Sequence, residues 1–223
     1  MSDKPQALLC WSSGKDSAWT LHVLRQRREV DVVGLLTTIN DVHARVAMHA
    51  VRLALLEAQA EAVGLPLWKL PIPSPCSNHE YEAAMGEAVK KAVAAGVTMI
   101  AFGDLFLEEI RRYREQQLTG TGLTPIFPIW GLPTEALARD MVAAGLQARL
   151  TCVDPKQLPA PFAGREFDAT LLRDLPAGVD PCGERGEFHT FAYAGPMFQR
   201  PVPVLSGEIV ERDGFVFADL LMA

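Results

Sequence analysis

Membrane-length apolar runs, paired cysteines and an excess of positive charge are all missing from this sequence. No apolar stretch approaches the roughly 18 residues of a membrane span. The opening residues, MSDKPQ, lack the basic-then-apolar order of a secretory signal. The four cysteines, Cys10, Cys76, Cys152 and Cys182, lie far apart and form no CxxC, which argues against a disulfide framework. Cys10 and Cys152 sit in apolar runs, as buried reduced thiols do, and the expected localisation is cytoplasmic. Pairing Cys76 with His79, or Cys182 with His189, gives no common zinc spacing. With 27 acidic against 21 basic residues the net charge is -6. That argues against general nucleic-acid or anionic-membrane binding. Internal repeats and low-complexity tracts are absent as well.

What is present is ordinary globular chemistry. The 223 residues are 49% hydrophobic and 22% charged, enough for a sizeable core without covalent staples. Apolar and β-branched runs predict strands at Gln6–Trp11, Val30–Ile39, Leu67–Ile72 and Val97–Phe102. Between them, helical periodicity covers Ser17–Arg28, Arg45–Val63 and Tyr81–Ala95, with stops at Gly64-Leu65-Pro66 and Gly96. Strands alternating with helices predict an α/β domain, its parallel sheet flanked by helices on both faces. Further on, Leu105–Leu118 and Thr134–Ala144 read as helices. Pro125–Trp130, Gln147–Val153, Phe188–Tyr193 and Gly214–Phe217 read as strands. The expected division places one domain over residues 1–120 and a smaller α+β domain over 121–223.

The hexapeptide Ser12-Ser13-Gly14-Lys15-Asp16-Ser17 joins the first strand to the first helix. In a parallel sheet this is the carboxyl edge, where ligands bind, and unpaired amides at a helix N-terminus attract anions. The Walker pattern is excluded, because Leu9 stands where it needs Gly and Asp16 where it needs Ser or Thr. GxGxxG is absent too. A Ser/Gly turn that merely caps a helix is the plainer alternative. The hexapeptide resembles the SGGxDS pyrophosphate loop of the N-type ATP pyrophosphatases, with Ser13 where that superfamily usually has Gly. A second landmark, CGERGEFHTF from Cys182 to Phe191, is followed by Gly195-Pro196-Met197-Phe198. Together with FGDLFLEEIRRYRE and FPIW, the two landmarks resemble the diphthine–ammonia ligase family from Ala7 to about Phe217.

That resemblance implies an adenine nucleotide alpha hydrolase-like, Rossmann-like fold. The implied enzyme is an ATP-dependent ligase that adenylates a carboxylate, releases pyrophosphate and transfers ammonia. Ser12, Ser13, Gly14, Lys15, Asp16, Ser17, Thr37 and Met48 are the expected ATP contacts. Lys15 would stabilise the departing pyrophosphate, and Asp16 would contact Mg2+. Glu184, Glu187 and His189 are the expected ammonia-handling group, since a carboxylate beside imidazole can hold ammonium and remove its proton. Their alternative is an ion pair on an edge strand. Arg45, His49 and Arg52, spaced i, i+4, i+7, would share a helical stripe facing either an anionic substrate or solvent. Asp104 would be a substrate or magnesium ligand, or a helix N-cap. Arg111 and Arg114 are substrate-side candidates through the resemblance, and otherwise a solvated helix face. The Pro-rich exit carrying Cys76, Asn78 and Tyr81 is either a pocket wall or a plain loop. The implied partners are ATP, ammonia and a carboxylate acceptor, with a protein side chain and a homodimer both admitted. Two other readings stay open: a different adenylating reaction such as RNA thiolation, and a nucleotide sensor without chemistry.

Overall fold

The computed structural model describes residues 4–40, 45–46, 51–73 and 75–223. The first strand, β1 (Gln6–Cys10), has Ala7, Leu8 and Leu9 almost wholly buried. Burial on both faces marks a central strand of a covered parallel sheet. β1 pairs in parallel with β2 (Asp31–Asn40) on one side and β5 (Met99–Ala101) on the other. β4 (Leu67–Ile72) continues the sheet beyond β2, and β6 (Thr124–Ile126) beyond β5, both in parallel. The parallel order is therefore β4-β2-β1-β5-β6. The short β3 (Arg45–Val46) adds an antiparallel pair at the end of β2.

Side chains alternate across this sheet as strand geometry requires. Leu9, Leu35 and Ala101 face a core shared with α1 (Lys15–Arg27) and α2 (Leu53–Val63). Leu8, Leu36 and Ile100 face α3 (Asn78–Ala94) and α4 (Glu108–Leu118). A capping box starts α3: Ser77 accepts the Glu80 amide while the Glu80 carboxylate accepts the Ser77 amide.

The remaining elements are α5 (Thr134–Ala143), β7 (Gln147–Val153), α6 (Ala169–Asp174), β8 (Phe188–Ala194), β9 (Val204–Arg212) and β10 (Phe215–Met222). They build a four-stranded antiparallel sheet ordered β8-β7-β10-β9. Ala148, Leu150, Phe188 and Phe191 of this sheet belong to one continuous core with residues of α1 and α2. The expected α/β fold with a smaller second sheet is thus present.

Two local expectations are corrected. The first sheet continues to β6, past residue 120, with Pro125 in a sheet-edge strand where a missing amide costs least. The helix expected from Arg45 begins only at Leu53, with Arg52 as its N-cap. Arg45–Val46 instead pair with Asn40 and Ile39, because the end of β2 offers an open edge to a β-branched residue. Arg45, His49 and Arg52 therefore do not share a continuous helical stripe, and His49 and Met48 lie outside the described residues.

Candidate active site

The chain runs from β4, at one edge, back across to β5 on the far side of β1. This crossover makes the carboxyl ends of β1 and β5 a topological switch point, the usual ligand crevice of such sheets. A cavity of about 270 Å³ opens there. Ser12, Asp16 and Ser17 border it from the loop after β1, and Thr37 from β2. Asp104 and Arg114 border it from the segment after β5 and from α4, and Glu184 from the CGERGEFHTF segment. With Tyr81, eight of the candidate site residues read from the sequence thus converge on one cavity.

The loop is held from both sheets. The Thr37 hydroxyl donates to the Trp11 carbonyl at 2.7 Å. The Ser13 carbonyl accepts the Ala192 amide at 3.0 Å and the Gln59 side-chain amide at 3.0 Å. Gln59, fully buried on α2, also accepts from the Trp11 indole at 2.9 Å and donates to the Ala192 carbonyl. The Lys15 amide donates to the Thr190 hydroxyl at 3.0 Å. A Cβ on Gly14 would meet the Thr190 carbonyl at 3.3 Å, so glycine here permits close approach of the two segments. Ser13 has φ of 71°, in the left-handed region that disfavours a side chain. Its buried hydroxyl has no hydrogen-bond partner among the described residues. The departure from glycine at this position therefore costs backbone strain.

Lys15 is turned away from the cavity. It is 2% exposed, and its ammonium donates to Asp16 Oδ2 at 2.8 Å and to the Cys182 carbonyl. The rings of Phe167 and Phe188 lie 5.5 and 5.3 Å from it. Burial alone would lower its pKa. The charge of Asp16, with Cys182 and Glu184, outweighs that and holds it above the ordinary lysine value. Through these two bonds the ammonium joins the loop to the C-terminal motif.

The motif's two glutamates have different surroundings. Glu184 faces the cavity and accepts the Leu105 amide at 2.8 Å. Burial, reinforced by Asp16 and Asp104, pushes its carboxyl up to about 7 against the opposing Leu105 bond. Glu187 is buried and accepts the amides of Asp180 and Arg185, both at 2.9 Å. It braces its own loop, with left-handed glycines at 183 and 186 making the bends. His189, on β8, lies outside the cavity lining. Burial and the charge of Lys15 drop it to about 4, so its imidazole is neutral near pH 7.

The remaining candidates separate. Arg114 donates twice to Asp104, at 2.5 and 3.0 Å, and stacks 4.4 Å over Phe102. Arg111 instead pairs with Glu115 and lies 4.9 Å from both Phe127 and Trp130, away from the cavity. Arg52 reaches Asp219 on β10 at 2.5 Å. Tyr81 does line the cavity, and Cys76 and Asn78 do not. Sequence reading passed over Gln59 and Thr190. A lone Gln within LALLEAQAEAV was the available signal for the first, and the HTF of the second motif for the other. Among the described residues, no group of three or more His, Cys, Asp or Glu is placed to hold a metal, and no helix is long and apolar enough to cross a membrane.

Two known family models match successive parts of the chain. A family model described as the diphthamide synthase N-terminal domain matches residues 5–125. One described as the diphthamide synthase C-terminal domain matches residues 133–219. The chain is 27% identical over 238 residues to diphthine–ammonia ligase of Bos taurus, covering 93% of this chain and 85% of that protein. The Homo sapiens protein of the same name is 27% identical over 237 residues with the same coverages. That of Mus musculus is 28% identical over 238 residues, again covering 93% and 85%. With both halves matched in order, this chain belongs to the diphthamide synthase family.

Proposed function

We propose that this protein is an ATP-dependent, amide-forming ligase of the diphthine–ammonia ligase type. The carrying observation is the composite cavity: the β1–α1 loop and the motif carboxylate Glu184 face the same space. In this reading ATP is a substrate whose phosphates meet the N-terminus of α1 and the hydroxyls of Ser12 and Ser17. Asp16 Oδ1 is shielded from solvent and has no hydrogen-bond partner among the described residues, which suits a hard cation completed by phosphate oxygens. Asp16 would hold Mg2+, and the ion's chemistry is to neutralise charge on the leaving pyrophosphate.

The acceptor carboxylate attacks the α-phosphorus, forming an acyl-adenylate as pyrophosphate leaves. Asp16 already faces Lys15 and Asp104 already faces Arg114, so Glu184 is the carboxylate that meets ammonium. Glu184, poised near neutrality, takes one proton from ammonium. The resulting ammonia attacks the acyl carbonyl, and the adduct loses a second proton to solvent and expels AMP, leaving the amide. Lys15, Glu187, Gln59 and Thr190 act as positioning residues that fix the loop against the motif. Thiol chemistry is disfavoured, since burial pushes the Cys10 thiol beside the cavity up to about 12 and raises that of Cys182. The test supplies ATP, isotopically labelled ammonium and a diphthine-bearing elongation factor or peptide. Label recovered in an ATP-dependent amide supports the reading. Pyrophosphate release without label in the acceptor would assign the cavity to a different transfer.

A further inference from the structure

A second concavity lies between α3 and α4. This groove holds about 560 Å³, within the range of small-molecule sites. Tyr81, Met85 and Val89 of α3 form one wall, and Tyr113 and Leu118 of α4 the other. Tyr81, Met85, Phe102 and Arg114 border both this groove and the nucleotide cavity, so the two spaces meet at these side chains.

Gly86 lines the groove from the middle of α3. A mid-helix glycine costs about 1 kcal/mol relative to Ala. Its φ is not left-handed, and a Cβ placed on it would meet no atom of the described residues within 4 Å. Neither a turn nor close packing therefore requires glycine here. With no side chain, it leaves the groove open at that point.

We propose that this groove receives the aromatic or apolar body of the carboxylate acceptor, whose carboxyl end passes Arg114 into the nucleotide cavity. The inference rests on the ligase reading above and names the acceptor's place within it. The walls are aromatic and aliphatic, with Met85 able to adapt to a flat ring. The rim carries Glu82 and Lys90, of opposite sign, so the groove does not select a polyphosphate. At the neck, Arg114 gives two of its five N–H donors to Asp104, which holds its guanidinium at the junction. ATP and acceptor thus occupy adjoining spaces, with the reacting carboxylate delivered between them.

The test measures carboxylate binding to the protein loaded with a non-cleavable α,β-methylene ATP analogue. The probes are 3-phenylpropionate and acetate, titrated by calorimetry against wild type, Gly86→Ala and Gly86→Leu. Wild type should bind the aromatic acid at least about tenfold more tightly than acetate. Gly86→Leu should abolish that difference while keeping the nucleotide affinity. Gly86→Ala, which raises helix propensity with one methyl group, should stay close to wild type. Equal binding of the two acids by wild type, or an undiminished preference in Gly86→Leu, would overturn the proposal. Failure of the ATP analogue itself to bind wild type would instead sink the ligase reading beneath it.

Discussion

Replacing Lys15 by Met decides whether this ammonium is a clasp or a phosphate contact. Met keeps an unbranched stem and removes the charge. Asp16 Oδ2 then loses its partner at 2.8 Å, and the Cys182 carbonyl loses its donor. Breaking a buried ion pair from one side costs about 3–5 kcal/mol. Lys15 is 2% exposed but Asp16 is 26% exposed, so water relieves one partner and about 3 kcal/mol is expected. The orphaned carbonyl adds about 1 kcal/mol. For a chain of this length each kcal/mol moves the melting temperature by about 2–4 °C, so the variant should melt roughly 8–16 °C lower. Lys15→Met/Asp16→Asn should recover part of that loss, because the uncompensated carboxylate is gone. Calorimetric melting and urea unfolding at unchanged slope are the assays. A variant that melts within about 2 °C of wild type yet fails to cleave ATP would refute the clasp and restore the phosphate contact.

The other predictions concern the same loop and its braces. Ser13→Gly removes left-handed strain and an unpartnered hydroxyl, so it should stabilise by about 1 kcal/mol in urea; a lower midpoint would mean that the serine is held by something it favours. Gln59→Leu strips hydrogen bonds from the Trp11 indole and the Ser13 and Ala192 carbonyls, and should cost about 2–4 kcal/mol and weaken ATP binding in calorimetry; unchanged affinity would free the loop from this brace. Thr190→Val should weaken ATP binding more than it lowers the melting temperature, and the reverse would make the hydroxyl a packing group. For Glu184 the folded carboxyl lies near 7, above its ordinary 4.5, so the fold holds a proton that the unfolded chain releases between those values. Stability should fall by about 2–3 kcal/mol as pH rises through that window, and Glu184→Gln should flatten the profile. If pH profiles of the two proteins coincide, Glu184 is not raised.

The parallel sheet was legible because its pattern is local. Burial of Ala7, Leu8 and Leu9 on both faces follows from an uninterrupted apolar run, and Gly64 and Gly96 end their helices with left-handed backbones. The candidate cavity was legible in part for the same reason: Ser12 and Asp104 follow closely on β1 and β5, Asp16 lies in the first turn of α1, and Thr37 lies in the carboxyl half of β2. Lys15 was not, since its orientation is set by a carbonyl 167 positions away. Glu187 looked like a partner for His189 in the sequence, yet the nearest unpaired amides of its own loop claim both of its oxygens. Arg111 and Arg114 differ by one turn-neighbour step, but packing on Trp130 sends the first away while Asp104 draws in the second. Arg45 and Val46 had helical spacing, and only the open end of β2 makes them a strand.

The most direct test of the ligase account is the bond at which ATP breaks. The protein is incubated with ATP, Mg2+, ammonium and a diphthine-bearing acceptor, and the nucleotide products are separated and counted against amide formed. Cleavage between the α- and β-phosphates predicts AMP and pyrophosphate in equal amounts, one of each per amide. ADP and phosphate as the main products, rising with amide, would contradict the account.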